Sequence, residues 1–294
     1  MKTVLFVITW LLICNCICTA QNKLSFDVPI NHFYFSLDGE TYAAIENSEF
    51  LKNWFAVFER RTTVRTDKTY TGIYFYGTHT YFEFFDASKQ TEYKQNSTGV
   101  AFGIERPEGL KELQAKLPGT TIELITRQYN DAQVPWFYML DLEKFLPNSV
   151  LDSWVMEYHP KFLAEWHAEA DGNRVGILRT QVLGRYARVL KNSPPHPLLE
   201  DVIGLTIAAD SESITKMKEL CETFGYRSRG DREVTVLEGP DLVLRLIPET
   251  SSARGLRQAI FRVWQKPNGK TEFVFGSHSV LRFQKDGKAV WYFE

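Results

Sequence analysis

The chain has 294 residues, enough for two domains, and its 44% hydrophobic and 24% charged content is that of an ordinary globular protein. A formal net charge of -2, from 34 basic and 36 acidic side chains, excludes a surface built for nucleic acid, which needs clustered Lys and Arg. Aromatic residues make up 14% and fall mostly in short alternating runs, a pattern that favours strands.

The start of the chain reads as an export signal. Lys2 gives a positive end, residues 4–17 form a nearly unbroken apolar run, and Cys18-Thr19-Ala20 supplies small residues for cleavage before Gln21. The run is short for a membrane span of about 20 residues, so no span is expected after cleavage. Removal of residues 1–20 takes Cys14, Cys16 and Cys18 with it and leaves Cys221, which can form no internal disulfide. An exported chain without disulfides fits a bacterial envelope, periplasmic or secreted. In that setting Asn96-Ser97-Thr98 is a polar loop, and Cys221 a small core residue.

In chain order, residues 31–37 read as a strand, Asp38-Gly39 as a turn and 41–55 as a helix with Tyr42, Ile45, Phe50 and Leu51 apolar. Strands are expected at 62–66, 69–76 and 80–85, with Gly77-Thr78 as a turn. The same order then recurs: a strand at 100–104, a helix over 107–117 with Pro107 in its first turn, and strands at 121–126, 136–142 and 154–158. A third start spans 202–207, followed by an Asp210 cap, a helix over 213–224 ending at Gly225, and strands at 233–237 and 242–247. Residues 255–294 read as four strands, with Asn268-Gly269 and Asp286-Gly287 as hairpin turns, a fourth unit without its helix. The proline-rich stretch 191–197 is the expected linker between a domain at 21–190 and another at 198–294. The fold class expected is α+β: repeated β-α-β-β-β modules forming curved mixed sheets in two tandem domains.

Three strands carry ionisable groups among apolar neighbours: His32 in the first, Glu83 in the fourth, and Glu157 with His159 in the eighth. Such groups are costly to bury unless paired or bound to a metal. Hydrogen-bonded core histidines and outward-facing glutamates fit the same pattern, and His79 and His167 read as surface groups. The chain has no G-x-S-x-G elbow, phosphate loop or H-E-x-x-H, and no C-x-x-C after residue 20.

The unit order, with His32 on the first strand and Glu83 and Glu157 on last strands, resembles the vicinal oxygen chelate superfamily of glyoxalases and extradiol dioxygenases. The resemblance covers 27–165 as one two-module domain and 198–294 as a degenerate second pair. It implies a cup closed around one divalent metal (Zn, Fe, Mn or Ni) held by His32, Glu83 and Glu157, with His159 as a further ligand. It also implies a small-molecule ligand bound through adjacent oxygens, with Glu157 as the displaced catalytic base, and Tyr34, Phe82, Phe84 and Trp136 lining the pocket. The chain departs from the pattern at Ala101 and Phe102, neither of which can bind a metal. The expected function is thus an exported metal-dependent lyase, isomerase or dioxygenase; the alternative is a non-catalytic small-molecule-binding protein of the same fold.

Overall fold

The computed structural model describes residues 28–294 apart from 91, 147–149, 163–176, 191–192 and 232. The expected export signal, His167 and Asn192 lie outside these residues.

Alternating aromatic and polar residues make strands that bury both faces, and two eight-stranded mixed sheets result. The first holds β1 (Ile30–Leu37), β2 (Val57–Val64), β3 (Thr69–Tyr76), β4 (Tyr81–Asp86), β5 (Thr98–Ile104), β6 (Ile122–Tyr129), β7 (Ala132–Asp141) and β8 (Leu151–Tyr158). The second holds β9 (Leu199–Ala209), β10 (Arg227–Gly230), β11 (Thr235–Glu238), β12 (Val243–Pro248), β13 (Gly255–Val263), β14 (Glu272–Val274), β15 (Ser279–Phe283) and β16 (Lys288–Phe293). Their strand orders, β2-β3-β4-β1-β5-β8-β7-β6 and β10-β11-β12-β9-β13-β16-β15-β14, are the same order written twice. Each sheet is two modules joined through their antiparallel first strands.

Helices α1 (Gly39–Glu46), α2 (Gly109–Gln114) and α4 (Ser211–Thr223) are the crossovers of the first three modules, and α3 (Arg179–Val189) follows the first sheet. In those modules the first and last strands pair parallel. Between β13 and β14 the chain has no helix, and β13 pairs β16 antiparallel. Losing one crossover removes one reversal of direction, so the three strands that follow run the other way.

Several boundaries differ from expectation for local reasons. Asp38 is a helix cap, not a turn: the Thr41 N–H donates to its Oδ1 at 2.9 Å. The helix expected over 41–55 stops at Asn47, whose side-chain amide donates to the Ala43 carbonyl at 2.9 Å; a π turn at Leu51–Phe55 follows. Pro107 lies outside α2, because Glu108 takes a left-handed φ of 62° and turns the chain just before the helix. Asn268-Gly269 closes no hairpin, since β13 pairs with β9 and β16 and not with β14.

The sheets stack back to back on one core. Phe82 meets Phe261 at 5.3 Å between ring centroids, Phe84 meets Trp291 at 5.3 Å, and Phe35 meets Phe293 at 5.1 Å. Trp291 is fully buried, and its indole N–H donates to Ser279 Oγ at 2.6 Å. Crossover helices lie in the same layer: Phe102 reaches Phe224 beyond α4 at 4.8 Å, and Cys221 is buried as a free thiol.

The other face of the first sheet curls into a cup. Its edge strands approach each other at the end of β2, where Arg65 bridges Arg127 and the Thr66 N–H donates to the Thr126 carbonyl at 3.2 Å. Helix α3 fastens the same seam: Arg61 and Arg127 both donate to the Tyr186 hydroxyl at 3.0 Å, and Tyr186 stacks on Tyr76 at 4.4 Å.

Because both sheets bury side chains in one core, Phe82→Ala is expected to cost about 3–5 kcal/mol and to lower a single melting transition. Calorimetry checks this; two separated transitions, with only the first displaced, would refute a shared core.

Candidate functional site

The floor of the cup is built by the phase of β1. Phe33, Phe35 and Leu37 enter the core between the sheets, while His32 and Tyr34 point the other way. Strict alternation would send Ile30 to the cup with His32. A register shift against β5 between Ile30 and His32 inserts one extra residue, so Ile30 joins Phe33 in the core and Asn31 sits at the bulge. Asn31 Oδ1 lies 2.9 Å from His32 Nδ1. An amide oxygen only accepts, so Nδ1 carries the proton and the Nε2 lone pair is exposed to the cup.

On the neighbouring β4, Tyr34 pairs with Glu83, and the Glu83 Oε1 atom comes to 3.8 Å from His32 Nε2. The imidazole stacks on Tyr81 at 4.3 Å and meets Trp154 edge-on at 5.3 Å. Burial pushes the His32 imidazole down to about 3, helped by the charge of Arg65. Burial pushes the Glu83 carboxyl up to about 7, against the opposing pull of Arg61. At neutral pH the imidazole is uncharged, so the 3.8 Å approach is not an ion pair. It is a lone pair facing a carboxyl that is close to half protonated.

A cavity of about 590 Å³ opens over this pair, a usual size for a small-molecule site. Tyr34, Trp136 and Trp154 line it together with Tyr70, Tyr81 and Tyr93. Gly99 on β5 makes the floor possible: a Cβ there would lie 2.0 Å from Tyr34 Cε1, so only glycine lets that ring lie flat across the strand. Asp152 also faces the cavity, with the Tyr34 hydroxyl donating to Oδ2 at 3.4 Å, and burial raises its carboxyl above the usual range. The Trp154 indole N–H is buried with no acceptor among the described residues.

The structure brings His32, Glu83, Tyr34 and Trp136 to one cavity, and places the other expected residues elsewhere. Glu157 lies on the opposite face of β8 from Met156 and Tyr158; its oxygens accept from the N–H groups of Glu108 at 3.1 Å and Leu110 at 2.9 Å. It therefore caps the start of α2 and reaches neither a metal nor a substrate in the cup, which corrects both of its expected roles. His159 is likewise out of reach: its Nδ1 accepts from the Lys161 N–H at 3.1 Å and its ring lies 5.3 Å from Tyr138. Phe82 and Phe84 flank Glu83 in sequence, so alternation buries them in the core between the sheets rather than in the pocket. His79 joins the sheets, its Nδ1 2.8 Å from Asp201 Oδ2.

The donors do not fit the expected metal. Two protein ligands, His32 and Glu83, face each other; Ala101 occupies the next strand; and among the described residues no group of three His, Cys, Asp or Glu side chains could hold an ion.

The titrations have opposite consequences for stability. Glu83 binds its proton more tightly folded than unfolded, so its contribution is full below about 4.5 and is lost as pH rises through about 7. His32 contributes fully above 6.5, and that contribution is lost as pH falls towards about 3. Glu83→Gln is accordingly expected to be more stable than the parent at pH 8, by on the order of 3 kcal/mol, with the gain fading towards pH 5. Urea melts across that range check this; equal stability at pH 8 rules out a strained carboxylate.

No curated protein matches the chain. Among solved structures, a hypothetical protein from Staphylococcus aureus superposes with a TM-score of 0.52 at 13% identity, over 87% of this chain and 99% of that one. That likeness is one of fold. A xylose isomerase-like TIM barrel/4-hydroxyphenylpyruvate dioxygenase fusion protein gives 0.43 at 14% identity, over 79% of this chain and 36% of that one. A halotolerant catechol dioxygenase gives 0.39 at 7% identity, over 90% and 86%. A family model matches residues 30–293, which takes in both sheets, and the chain belongs to the Family of unknown function (DUF5829).

Proposed function

We propose that the protein binds a small organic molecule in the cup of its first sheet, on a vicinal-oxygen-chelate-like scaffold that works without the metal. The observation that carries this reading is the 590 Å³ cavity over His32 and Glu83, walled by aromatic rings, with no three His, Cys, Asp or Glu side chains among the described residues placed to hold one ion. Aromatic walls contribute most of the binding energy of such sites, and a few polar groups set orientation. His32 Nε2 offers an acceptor, and Glu83 either role according to its protonation.

A second reading rests on the same pair. A carboxyl held near 7 beside a neutral imidazole is suited to moving a proton at neutral pH, so an acid–base isomerisation or elimination of the bound molecule fits the site as well.

Protein purified from medium replete in Zn, Fe, Mn and Ni is expected to carry less than stoichiometric metal by elemental analysis. It is also expected to bind an aromatic probe, 1-naphthol, with quenching of cup tryptophan fluorescence, and Gly99→Ala should weaken that binding by displacing Tyr34. One equivalent of metal, lost on His32→Ala, would overturn the metal-free reading.

The signal-like start supports an envelope location for the mature protein. Expression in a Gram-negative host, fractionation and N-terminal sequencing are expected to recover a periplasmic chain starting at Gln21; a cytoplasmic chain starting at Met1 contradicts this.

A further inference from the structure

Resting on the reading of the cup as a binding site, we infer that its ligand is a small organic cation, held between aromatic faces and the carboxylates of Glu83 and Asp152. Six rings, from Tyr34, Tyr70, Tyr81, Tyr93, Trp136 and Trp154, line one cavity. Ring faces are electron-rich and attract cations, most strongly where water is excluded.

The chain itself occupies part of this cage with a positive group. The Lys68 ammonium sits over two rings at once, 5.7 Å from the Tyr70 centroid and 5.6 Å from that of Tyr93. Among the described residues it makes no ion pair, and burial lowers its proton affinity. It is a resident cation on a cage wall.

Charge deeper in the cup points the same way. Glu83 is buried, with a neutral imidazole as its near neighbour, and Asp152 has a phenol hydroxyl. Both carboxyls line the same cavity as the six rings, and neither makes a direct ion pair with a Lys or Arg side chain among the described residues, so each is open to contact by a positive ligand group.

An anionic ligand finds less. Arg65 is already held by both oxygens of Asp67, each at 2.7 Å, which leaves Lys68 and Lys94 as the other basic groups lining the cavity, against the carboxyls of Glu83, Glu92, Asp141, Glu143 and Asp152.

Three meta-substituted phenols separate these possibilities: meta-hydroxyphenyltrimethylammonium, its uncharged isostere meta-tert-butylphenol, and the anionic meta-hydroxybenzoate. Titration calorimetry on the full mature chain is expected to show the ammonium compound binding at least about tenfold more tightly than the neutral one. Glu83→Gln and Asp152→Asn should each narrow that ratio by weakening the ammonium compound more than the neutral one. Lys68→Met, which removes the resident cation, should widen it. Equal binding of the ammonium and neutral probes overturns the cation inference and leaves the cup as a binding site. Preference for the benzoate, lost on Lys68→Met, overturns it in favour of an anion. If none of the three binds, the inference and the binding function fail together.

Discussion

Everything in the first sheet follows from its being buried on both faces. An ordinary antiparallel sheet spends one face on the core and leaves the other wet, so polar residues can alternate inward and outward freely. Here the second sheet covers one face and the curl of the sheet, with α3 across it, shelters the other. A polar side chain on either face has lost water, and its chemistry is set by whatever shares its face. That is why His32 is neutral and Glu83 holds its proton to unusually high pH, while exposed carboxylates such as Glu112 and Glu238, paired with arginines, move the opposite way.

Much of this architecture could be read from the residues. Module order, the first strand to within one residue of its start, the Asp210 cap and the missing fourth helix all follow from local pattern, and the two sheets share one strand order. His32 and Glu83 line one cavity. What remained hidden was phase. In β8, one set of alternate residues is Leu151, Ser153, Val155 and Glu157; the other is Asp152, Trp154, Met156 and Tyr158. Each set contains one carboxylate among apolar neighbours, and no periodicity can choose between them. Long-range pairing of Ala101 with Trp154 decides it, and sends Asp152 to the cup and Glu157 to α2.

The aromatic wall was hidden for a related reason. Tyr70 and Tyr93 stand on a strand and a loop that local sequence treats as ordinary, and only curvature brings them beside Tyr34, whose ring lies 5.4 Å from that of Tyr93. Phe82 and Phe84 were the opposite error. They sit next to Glu83 in sequence, yet adjacency along a strand means opposite faces of a sheet. The bulge at Asn31 compounds this, because one inserted residue is enough to reverse the phase of everything before it.

The seam between β2 and β6 gives the cup a mechanical character. Around the rest of its circumference the wall is continuous hydrogen-bonded sheet, which resists stretching. At the seam, continuity is reduced to the Arg65–Arg127 bridge and the Tyr186 hydroxyl that both Arg61 and Arg127 grip. The cup thus behaves as a split ring fastened by one clasp. The residues that close the sheet at this seam are different from those that make its chemically distinctive floor.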